Sequence, residues 1–235
     1  MSTKVSNKRK SGLTVVPVSK DHFSSGSNKS PITSTHVLLT IIDGGGLLAS
    51  DTFNGKSDPI CFVWCGSMPQ ADTTSSYPDN SFMYTTDEEE CIKKGILKTS
   101  VCNATLEPIW KEDLIFPLVL ADIHSLSLIK LLVYVRDEDI VDETVSYDDL
   151  GMFEISIKDI VMTGKTRRQS IVDVNHVYNL TSPQNMKKKA EGFIRVTTTL
   201  VFSENDCQHL FSQLGDGINS LDKFVIGLQL HLQGK

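Results

Sequence analysis

The stretch from Ile129 to Asp139 constrains the fold most, because an alternating apolar segment there ends in two carboxylates. Every second residue from position 129 to position 135 is apolar, which is the period of a strand with one buried face. Continuing that period places Asp137 and Asp139 on the same side, just beyond the apolar row. Two such charges repel each other by roughly 4 kcal/mol at a separation of about 4 Å and an effective dielectric constant near 20. The chain tolerates them only if they are solvated apart or share a cation.

More carboxylates follow this strand at once, at Asp142-Glu143 and at Asp148-Asp149. Hard carboxylate oxygens that converge from a loop suit calcium better than they suit zinc or a redox-active metal. The sequence therefore predicts a cation site at the end of this strand, with calcium as the ion.

Short apolar and β-branched segments, separated by turn-forming residues, recur along most of the chain. We predict eight strands, at residues 36–42, 60–65, 96–101, 113–116, 128–136, 152–157, 174–180 and 193–202. Strands of this length and spacing are typical of an antiparallel β-sandwich. The polar segment 67–95, which contains the acidic run Asp87-Glu88-Glu89-Glu90, is predicted to be a long surface insertion between strands 2 and 3. The predicted fold is thus an all-β, eight-stranded antiparallel sandwich with one long insertion.

The two ends of the chain differ in composition from the central domain, which we place at residues 36–203. Residues 1–35 are rich in Ser, Thr and Lys, and we expect a disordered basic tail there. That tail is either simply solvated or an arm attracted to anionic lipid. Residues 204–235 carry apolar residues near helical spacing, but Leu228, Leu230 and Leu232 alternate as in a strand. This extension is either a helix packed on the sandwich or the start of another module.

Composition and motif spacing exclude several classes of function. The formal net charge of -6 argues against general nucleic-acid binding, and no segment approaches the ~18 continuous apolar residues of a membrane span. The N-terminus lacks the apolar core of a secretory signal, and the five cysteines are expected to be reduced thiols of a cytoplasmic protein. The glycines at Gly44-Gly45-Gly46 are not followed by the Gly-Lys-Ser/Thr of a nucleotide site. The six histidines are scattered without a neighbouring nucleophile, so we expect no enzymatic activity.

Five short motifs, taken together, resemble the C2 domain family. They occur in the family's order: Gly55-Lys56-Ser57-Asp58-Pro59, Leu97-Lys98-Thr99, Leu106-Glu107-Pro108-Ile109-Trp110-Lys111-Glu112, Asp137-Glu138-Asp139 and Asp148-Asp149-Leu150-Gly151. The resemblance implies a calcium- and phospholipid-binding β-sandwich, here with the permuted, type II order of strands. This chain departs from the family in that Asp51 and Asp58 are one residue further apart than usual. The third loop is also longer than usual before Asp148.

The resemblance implies calcium ligands in loops at one end of the sandwich: Asp51, Asp58, Asp137, Asp139, Asp142 and Asp148. It also implies membrane contacts beside them, from apolar loop residues and a lysine cluster: Phe53, Ile140, Val141, Lys187, Lys188 and Lys189. Counting alternate connections places the lysines at the calcium end and the acidic insertion at the opposite end, facing away. Three lysines in a loop would equally serve solubility alone.

The sequence leaves three functions open. The first is a calcium-dependent module that targets the protein to anionic phospholipid membranes, in membrane trafficking or signalling, as a peripheral membrane protein of the cytoplasm. Bound calcium would cancel the repulsion between the carboxylates and change the sign of the surface potential at that end. The second is a C2-type scaffold that binds a protein partner without calcium. The third is the targeting module of a larger protein.

Overall fold

The structure is a computed structural model, and it describes most of the chain after residue 34. The described residues are 35–50, 55–67, 83, 88–118, 125–163, 165–167, 171–183, 186, 189–203, 205–207, 209–210 and 221–233. All of them lie within one compact unit, Ile32–Lys235. The expected tail, residues 1–35, therefore lies outside the described residues except for Thr35.

Nine strands in the described residues form two antiparallel sheets. They are β1 (His36–Gly45), β2 (Pro59–Ser67), β3 (Ile96–Lys98), β4 (Ile109–Pro117), β5 (Ile129–Val141), β6 (Thr144–Ser156), β7 (Lys165–Arg167), β8 (Ile171–Asn179) and β9 (Phe193–Val201). The first sheet has the order β4-β1-β9-β8-β7, and the second has the order β3-β2-β5-β6. The predicted all-β sandwich is confirmed, since each of the eight predicted strands overlaps one of these. The additional strand, β7, has three residues and lies at the edge of the first sheet.

The central strand β5 buries alternate residues between the two sheets, as its sequence predicts. Leu131, Val133 and Val135 are fully buried in the main core, together with Leu39 of β1 and Val196 of β9. Burying an apolar side chain of this size stabilises the fold by roughly 1.5–3 kcal/mol. A slip of one residue would move the whole row to the wrong face, so this burial fixes the register of β5. The same register fixes the positions of Asp137 and Asp139, which continue this row on the same face of β5.

The outer face of the second sheet, which is turned away from the first sheet, carries a second core. It contains buried side chains of β2, β3 and β5: Ile60, Phe62, Ile96, Leu132 and Tyr134. The insertion covers this face through Met83, which is fully buried, and through Cys91 of helix α1 (Glu88–Lys93), which is 3% exposed. The described part of the insertion is therefore packed against the sheet.

The prediction that the insertion faces away from the calcium loops does not hold for Met83. Although it leaves β2 at the opposite end of the sandwich, Met83 returns to accept a hydrogen bond from Arg136 Nη1 at 2.8 Å. Arg136 immediately precedes Asp137 in the chain. The physical reason is that β2 and β5 are apolar on both faces, and a strand of that kind needs cover on each side.

Among the helices that lie outside the insertion are α2 (Ser125–Leu128), α3 (Ile157–Thr163) and α4 (Leu221–Leu232). Leu228 and Leu232, one helical turn apart in α4, are buried. Gln229 Nε2 donates a hydrogen bond to the Val161 carbonyl of α3 at 2.8 Å, which attaches α4 to the sandwich. The alternating leucines at 228–232 thus lie in a helix. No helix in the described residues is long and apolar enough to cross a membrane.

All five cysteines are free thiols, in agreement with the expectation from their spacing. Burial raises the pKa of the Cys61 thiol, and it raises the pKa of Cys65 to about 12. Thiols with raised pKa values stay protonated at neutral pH and are poor nucleophiles. Cys61 accordingly acts as a small apolar residue of the main core.

Candidate metal centre

The connections that follow β1, β3, β5 and β8 lie at one end of the sandwich. β1 ends at Gly45, directly opposite Phe193 at the start of β9, and β2 begins at Pro59, directly opposite Asp137 of β5. The loop between β1 and β2 is therefore placed beside the hairpin formed by β5 and β6. Carboxylates that are far apart in the sequence meet at this end because of that pairing.

Asp58 and Asp137 are in direct contact through the backbone of Asp58. The Asp58 N–H donates a hydrogen bond to Asp137 Oδ1, and the Glu138 N–H donates one to the Asp58 carbonyl at 3.1 Å. Asp58 Oδ1 also accepts a hydrogen bond from the Ala104 N–H. The Asp137 side chain is only 1% exposed. Removing a carboxylate from water to that extent is costly unless a cation or hydrogen-bond donors compensate.

Asp148 adds a third carboxylate from a third segment of the chain. It lies directly opposite Asp137 in the β5–β6 register, and directly opposed residues have Cβ atoms about 4.5–5.5 Å apart. Its Oδ2 accepts a hydrogen bond from Ser50 Oγ at 3.2 Å, and the Ser50 N–H donates to Ser57 Oγ at 3.0 Å. These bonds join the loop after β1 both to the hairpin and to the start of β2.

Asp139 lies two residues beyond Asp137 on the same face of β5, opposite Ser146 of β6. Its side chain is partly exposed. We call the four residues Asp58, Asp137, Asp139 and Asp148 the carboxylate rim.

Asp142 is the one described candidate ligand that the structure does not bring to the rim. The long third loop is an extension of the hairpin, in which β5 continues to Val141 and β6 starts at Thr144. Asp142 and Glu143 form the turn, with φ values of 48° and 65°. At about 3.3 Å per residue, the turn lies about 16 Å along the strand from Asp137.

The hairpin turn gives the first testable prediction, because two consecutive left-handed residues suit glycine and not glutamate. Glu143→Gly creates an Asp-Gly turn and should raise the free energy of unfolding by about 1 kcal/mol. Urea denaturation followed by tryptophan fluorescence would measure it. Glu143→Ala serves as the matched control, since it removes the same charge but keeps the Cβ. Equal effects of the two substitutions would show that charge, and not backbone conformation, limits the turn.

The apolar residues of the hairpin lie on two faces. Ile140 is 67% exposed and lies directly opposite Val145, which is 40% exposed, on the face turned away from the rim. Val141 is 65% exposed and lies on the rim face, opposite Thr144. The sequence predicted membrane contacts for Ile140 and Val141 but not for Val145. Only the position of the two-residue turn pairs Val145 with Ile140, and the sequence signal for that turn was weak.

Tyr147 anchors the outward face of the hairpin to the second core. Its ring packs edge-on against Phe62, with the ring centroids 5.0 Å apart. Its hydroxyl donates a hydrogen bond to Glu138 Oε1 at 3.0 Å, and burial together with the charge of Glu138 raises the pKa of Tyr147. The tyrosine therefore stays protonated as a donor and attaches the hairpin to the second core.

The remaining predicted site residues are only partly described. Asp51 and Phe53 lie outside the described residues, as do Lys187 and Lys188. Lys189 is described and exposed, in the connection between β8 and β9. That connection lies at the same end as the rim.

The three consecutive glycines pack backbone against backbone beside the site. Gly44 N–H donates to the Pro108 carbonyl at 2.9 Å, and Gly46 N–H donates to Glu107 Oε1 at 3.1 Å. On the other side, a Cβ atom at Gly192 would lie 2.6 Å from the carbonyl oxygens of Gly45 and Gly46. The glycines thus let three loops approach each other closely at the end that carries the rim.

The donor atoms of the rim are of one chemical kind. They are carboxylate oxygens, joined by the Ser50 hydroxyl, and calcium takes such oxygen ligands at about 2.3–2.6 Å. The residues present therefore fit calcium in their chemistry. In the described part of the chain, no group of three or more His, Cys, Asp or Glu side chains is arranged to hold a metal ion as it stands. Asp58 and Asp148 would have to turn from their present hydrogen-bond donors, Ala104 and Ser50.

The sequence profile of the C2 domain family matches residues 89–172, a segment that includes three rim residues, Asp137, Asp139 and Asp148. This match confirms the predicted resemblance to C2 domains. A comparison with curated proteins finds no match.

Several solved structures are similar to the chain at low identity. A C2 domain of plant extended synaptotagmin 1 is 17% identical, with 75% of this chain and 100% of that chain covered and a TM-score of 0.44. Human GIVD cytosolic phospholipase A2 is 16% identical, with 74% of this chain but 17% of that chain covered and a TM-score of 0.46. A C2 domain-containing protein from a putative elicitor-responsive gene is 16% identical, with 83% of this chain and 100% of that chain covered and a TM-score of 0.42.

Proposed function

We propose that this chain is a C2-type module that docks on anionic phospholipid membranes when calcium binds to the carboxylate rim. The observation that supports the proposal most directly is the meeting of Asp58, Asp137 and Asp148, which come from three different segments. Asp137 supplies the strongest reason for a cation, since it is almost fully buried next to two other carboxylates.

The rim carboxylates supply the switch through their charge. Two like charges about 5 Å apart repel each other by roughly 3 kcal/mol at an effective dielectric constant near 20. Without a cation, Asp58, Asp137 and Asp148 therefore repel each other and also repel an anionic headgroup. Calcium, when bound, cancels that field and offers positions that a lipid phosphate can occupy.

Neighbouring residues would make the membrane contacts. Ile140 and Val145, side by side on the outward face of the hairpin, and Val141 at its tip would enter the interfacial layer. Lys187, Lys188 and Lys189 would attract anionic lipid by about 1 kcal/mol per charge near the surface. Asp142 is not assigned as a ligand here, because it lies in the hairpin turn and not at the rim.

Co-sedimentation with phosphatidylserine vesicles tests the proposal, in calcium and in chelator. The wild-type chain should bind with calcium and lose at least tenfold in affinity with chelator. Asp137→Asn combined with Asp139→Asn should bind no better with calcium than the wild type does with chelator. Asp113→Asn combined with Glu154→Gln is the matched control, because it also removes two negative charges but leaves the rim intact: Asp113 accepts a hydrogen bond from Thr40 on the first sheet, and Glu154 forms an exposed ion pair with Lys130.

Two other results would overturn the proposal, and each favours a different function. Equal binding in calcium and in chelator would indicate docking through basic residues alone. No binding to vesicles in either condition would favour the calcium-independent scaffold that binds a protein partner.

A further inference from the structure

Arg136 is the largest of the fully buried side chains, although it carries a charge. Its Nε donates to Asp149 Oδ1 at 3.0 Å, and its Nη1 donates to the Met83 carbonyl of the insertion at 2.8 Å. The guanidinium carbon lies 5.0 Å from the ring centroid of Phe62 and 5.3 Å from that of Tyr134. A buried guanidinium is tolerated only with partners of good geometry. Arg136 therefore depends on the insertion for one of its acceptors.

The Arg136–Asp149 pair is directly adjacent to the rim in both strands. In the β5–β6 register, Arg136 lies opposite Asp149, and the next pair is Asp137 opposite Asp148. Because side chains alternate along a strand, the first pair faces the outer core and the second faces the rim. No residue separates the two pairs, so a shift of β6 against β5 would break both together.

The pairing of β5 with β6 is also irregular at this point. Contacts that hold the register beyond the irregularity therefore decide which residues lie opposite each other at the rim. The β5–β6 pairing shifts between Val135 and Arg136, so that Gly151 pairs with Val135 but Asp149 pairs with Arg136. Leu150 is the extra residue of this bulge, and it is fully buried in the main core. Beyond the bulge, two contacts hold the register on the outer face: the Arg136–Asp149 pair next to the bulge and the Tyr147–Glu138 hydrogen bond two residues further along β5.

We propose that the buried Arg136–Asp149 pair couples the carboxylate rim to the insertion. When the insertion is packed, Met83 and Asp149 hold Arg136, and the resulting register opposes Asp137 to Asp148. A cation at the rim stabilises the same register from the other face. Coupling of this kind is reciprocal. If packing of the insertion raises the calcium affinity by some factor, bound calcium raises the equilibrium constant for packing of the insertion by the same factor. Arg136 and Asp149 are positioning residues, and the coupling deepens the calcium function proposed above and rests on it.

Hydrogen exchange of the full-length chain tests the coupling, because the insertion contains suitable probes. The amides of Lys94 and Gly95 donate to the Glu90 and Ile92 carbonyls at 2.9 and 3.0 Å. Their exchange should slow when calcium is added to the wild type. Calcium affinity is measured in parallel by calorimetry, with calcium chloride as the only ligand.

Asp149→Asn removes the charge partner of Arg136 without removing a rim residue. In calcium-free buffer, we expect faster exchange at Lys94 and Gly95 than in the wild type. With calcium, we expect affinity about tenfold weaker and no slowing of exchange in the insertion. Asp149→Glu keeps the charge, so its exchange rates at Lys94 and Gly95 and its calcium affinity should lie between those of the wild type and those of Asp149→Asn. Glu154→Gln is the control in the same two strands, because it breaks only the exposed Lys130–Glu154 ion pair, and it should change neither measurement.

The outcomes separate the coupling from the calcium function. Unchanged exchange in calcium-free Asp149→Asn would overturn the coupling whether or not calcium binds. Calcium binding to the wild type without slower exchange in the insertion would overturn the coupling and leave the proposed function intact. No calcium binding to the wild type would overturn both.

Discussion

Phe62→Ala should lower the free energy of unfolding by about 3–5 kcal/mol, the usual cost of removing a fully buried phenylalanine. The reason is that Phe62 lies on the outer face of the second sheet yet is only 1% exposed. Its ring contacts Tyr147 edge-on and lies below the guanidinium of Arg136. Unfolding in guanidinium chloride, followed by circular dichroism, would measure the change.

Ile92→Ala is the matched control, because Ile92 belongs to helix α1 of the insertion that covers this face but is 62% exposed. Its free energy of unfolding should stay within about 0.5 kcal/mol of the wild-type value. A loss of less than about 1 kcal/mol for Phe62→Ala would show that the outer face is not a packed core. The role given to the insertion would then be wrong.

Gly192→Ala should lower the free energy of unfolding by about 2–5 kcal/mol. Two costs add: the positive φ of 90°, which is unfavourable for alanine by about 1–2 kcal/mol, and steric overlap worth about 1–3 kcal/mol. The overlap is with backbone, since the new Cβ would lie 2.6 Å from the carbonyl oxygens of Gly45 and Gly46. A backbone contact cannot be relieved by a change of rotamer. Thermal and urea unfolding would both report the loss.

Gly95→Ala isolates the cost of backbone conformation. Gly95 has a φ of 70°, and a Cβ added there would meet nothing within 4 Å. Gly95→Ala should therefore lower the free energy of unfolding only by the cost of a positive φ for alanine, about 1–2 kcal/mol. Equal losses for Gly192→Ala and Gly95→Ala would contradict the close approach of the loops at the rim end.

The strands were predictable from the sequence because their burial is periodic. The alternation of Leu131, Val133 and Val135 continues to Asp137, and the structure confirms this row as the inner face of β5. Asp58 and Asp148 could be placed near Asp137 only through the motifs of the C2 family. Nothing in the local pattern says which strands pair, and pairing is what brings these carboxylates together.

The turn of the β5–β6 hairpin shows why another part of the site was less predictable. Asp142-Glu143 is a poor match to the Asn-Gly or Asp-Gly pairs that mark two-residue turns, so the acidic segment resembles a loop. The tertiary structure nevertheless imposes positive φ at both residues. The distance of Asp142 from the rim and the pairing of Ile140 with Val145 both follow from that turn.

The covering of the outer sheet face had a signal in the sequence that the prediction did not use. Residues 60–64 and 131–135 are apolar at nearly every position, including those that alternate away from the main core. A strand with one solvated face would carry polar residues there. The helix α4 was ambiguous for a related reason, because leucines at 228, 230 and 232 fit a strand, while burial selects Leu228 and Leu232, one helical turn apart.

The packed insertion has a consequence for how this protein can change over time. A surface loop can normally be shortened at little cost. Here, however, part of the loop covers one face of a sheet and belongs to a hydrophobic core. A shortened chain that lacked Met83 and the helix Glu88–Lys93 would open Phe62 and Tyr134 to water and invite self-association. The segment that looks most dispensable in the sequence is therefore one that descendants of this chain cannot easily lose.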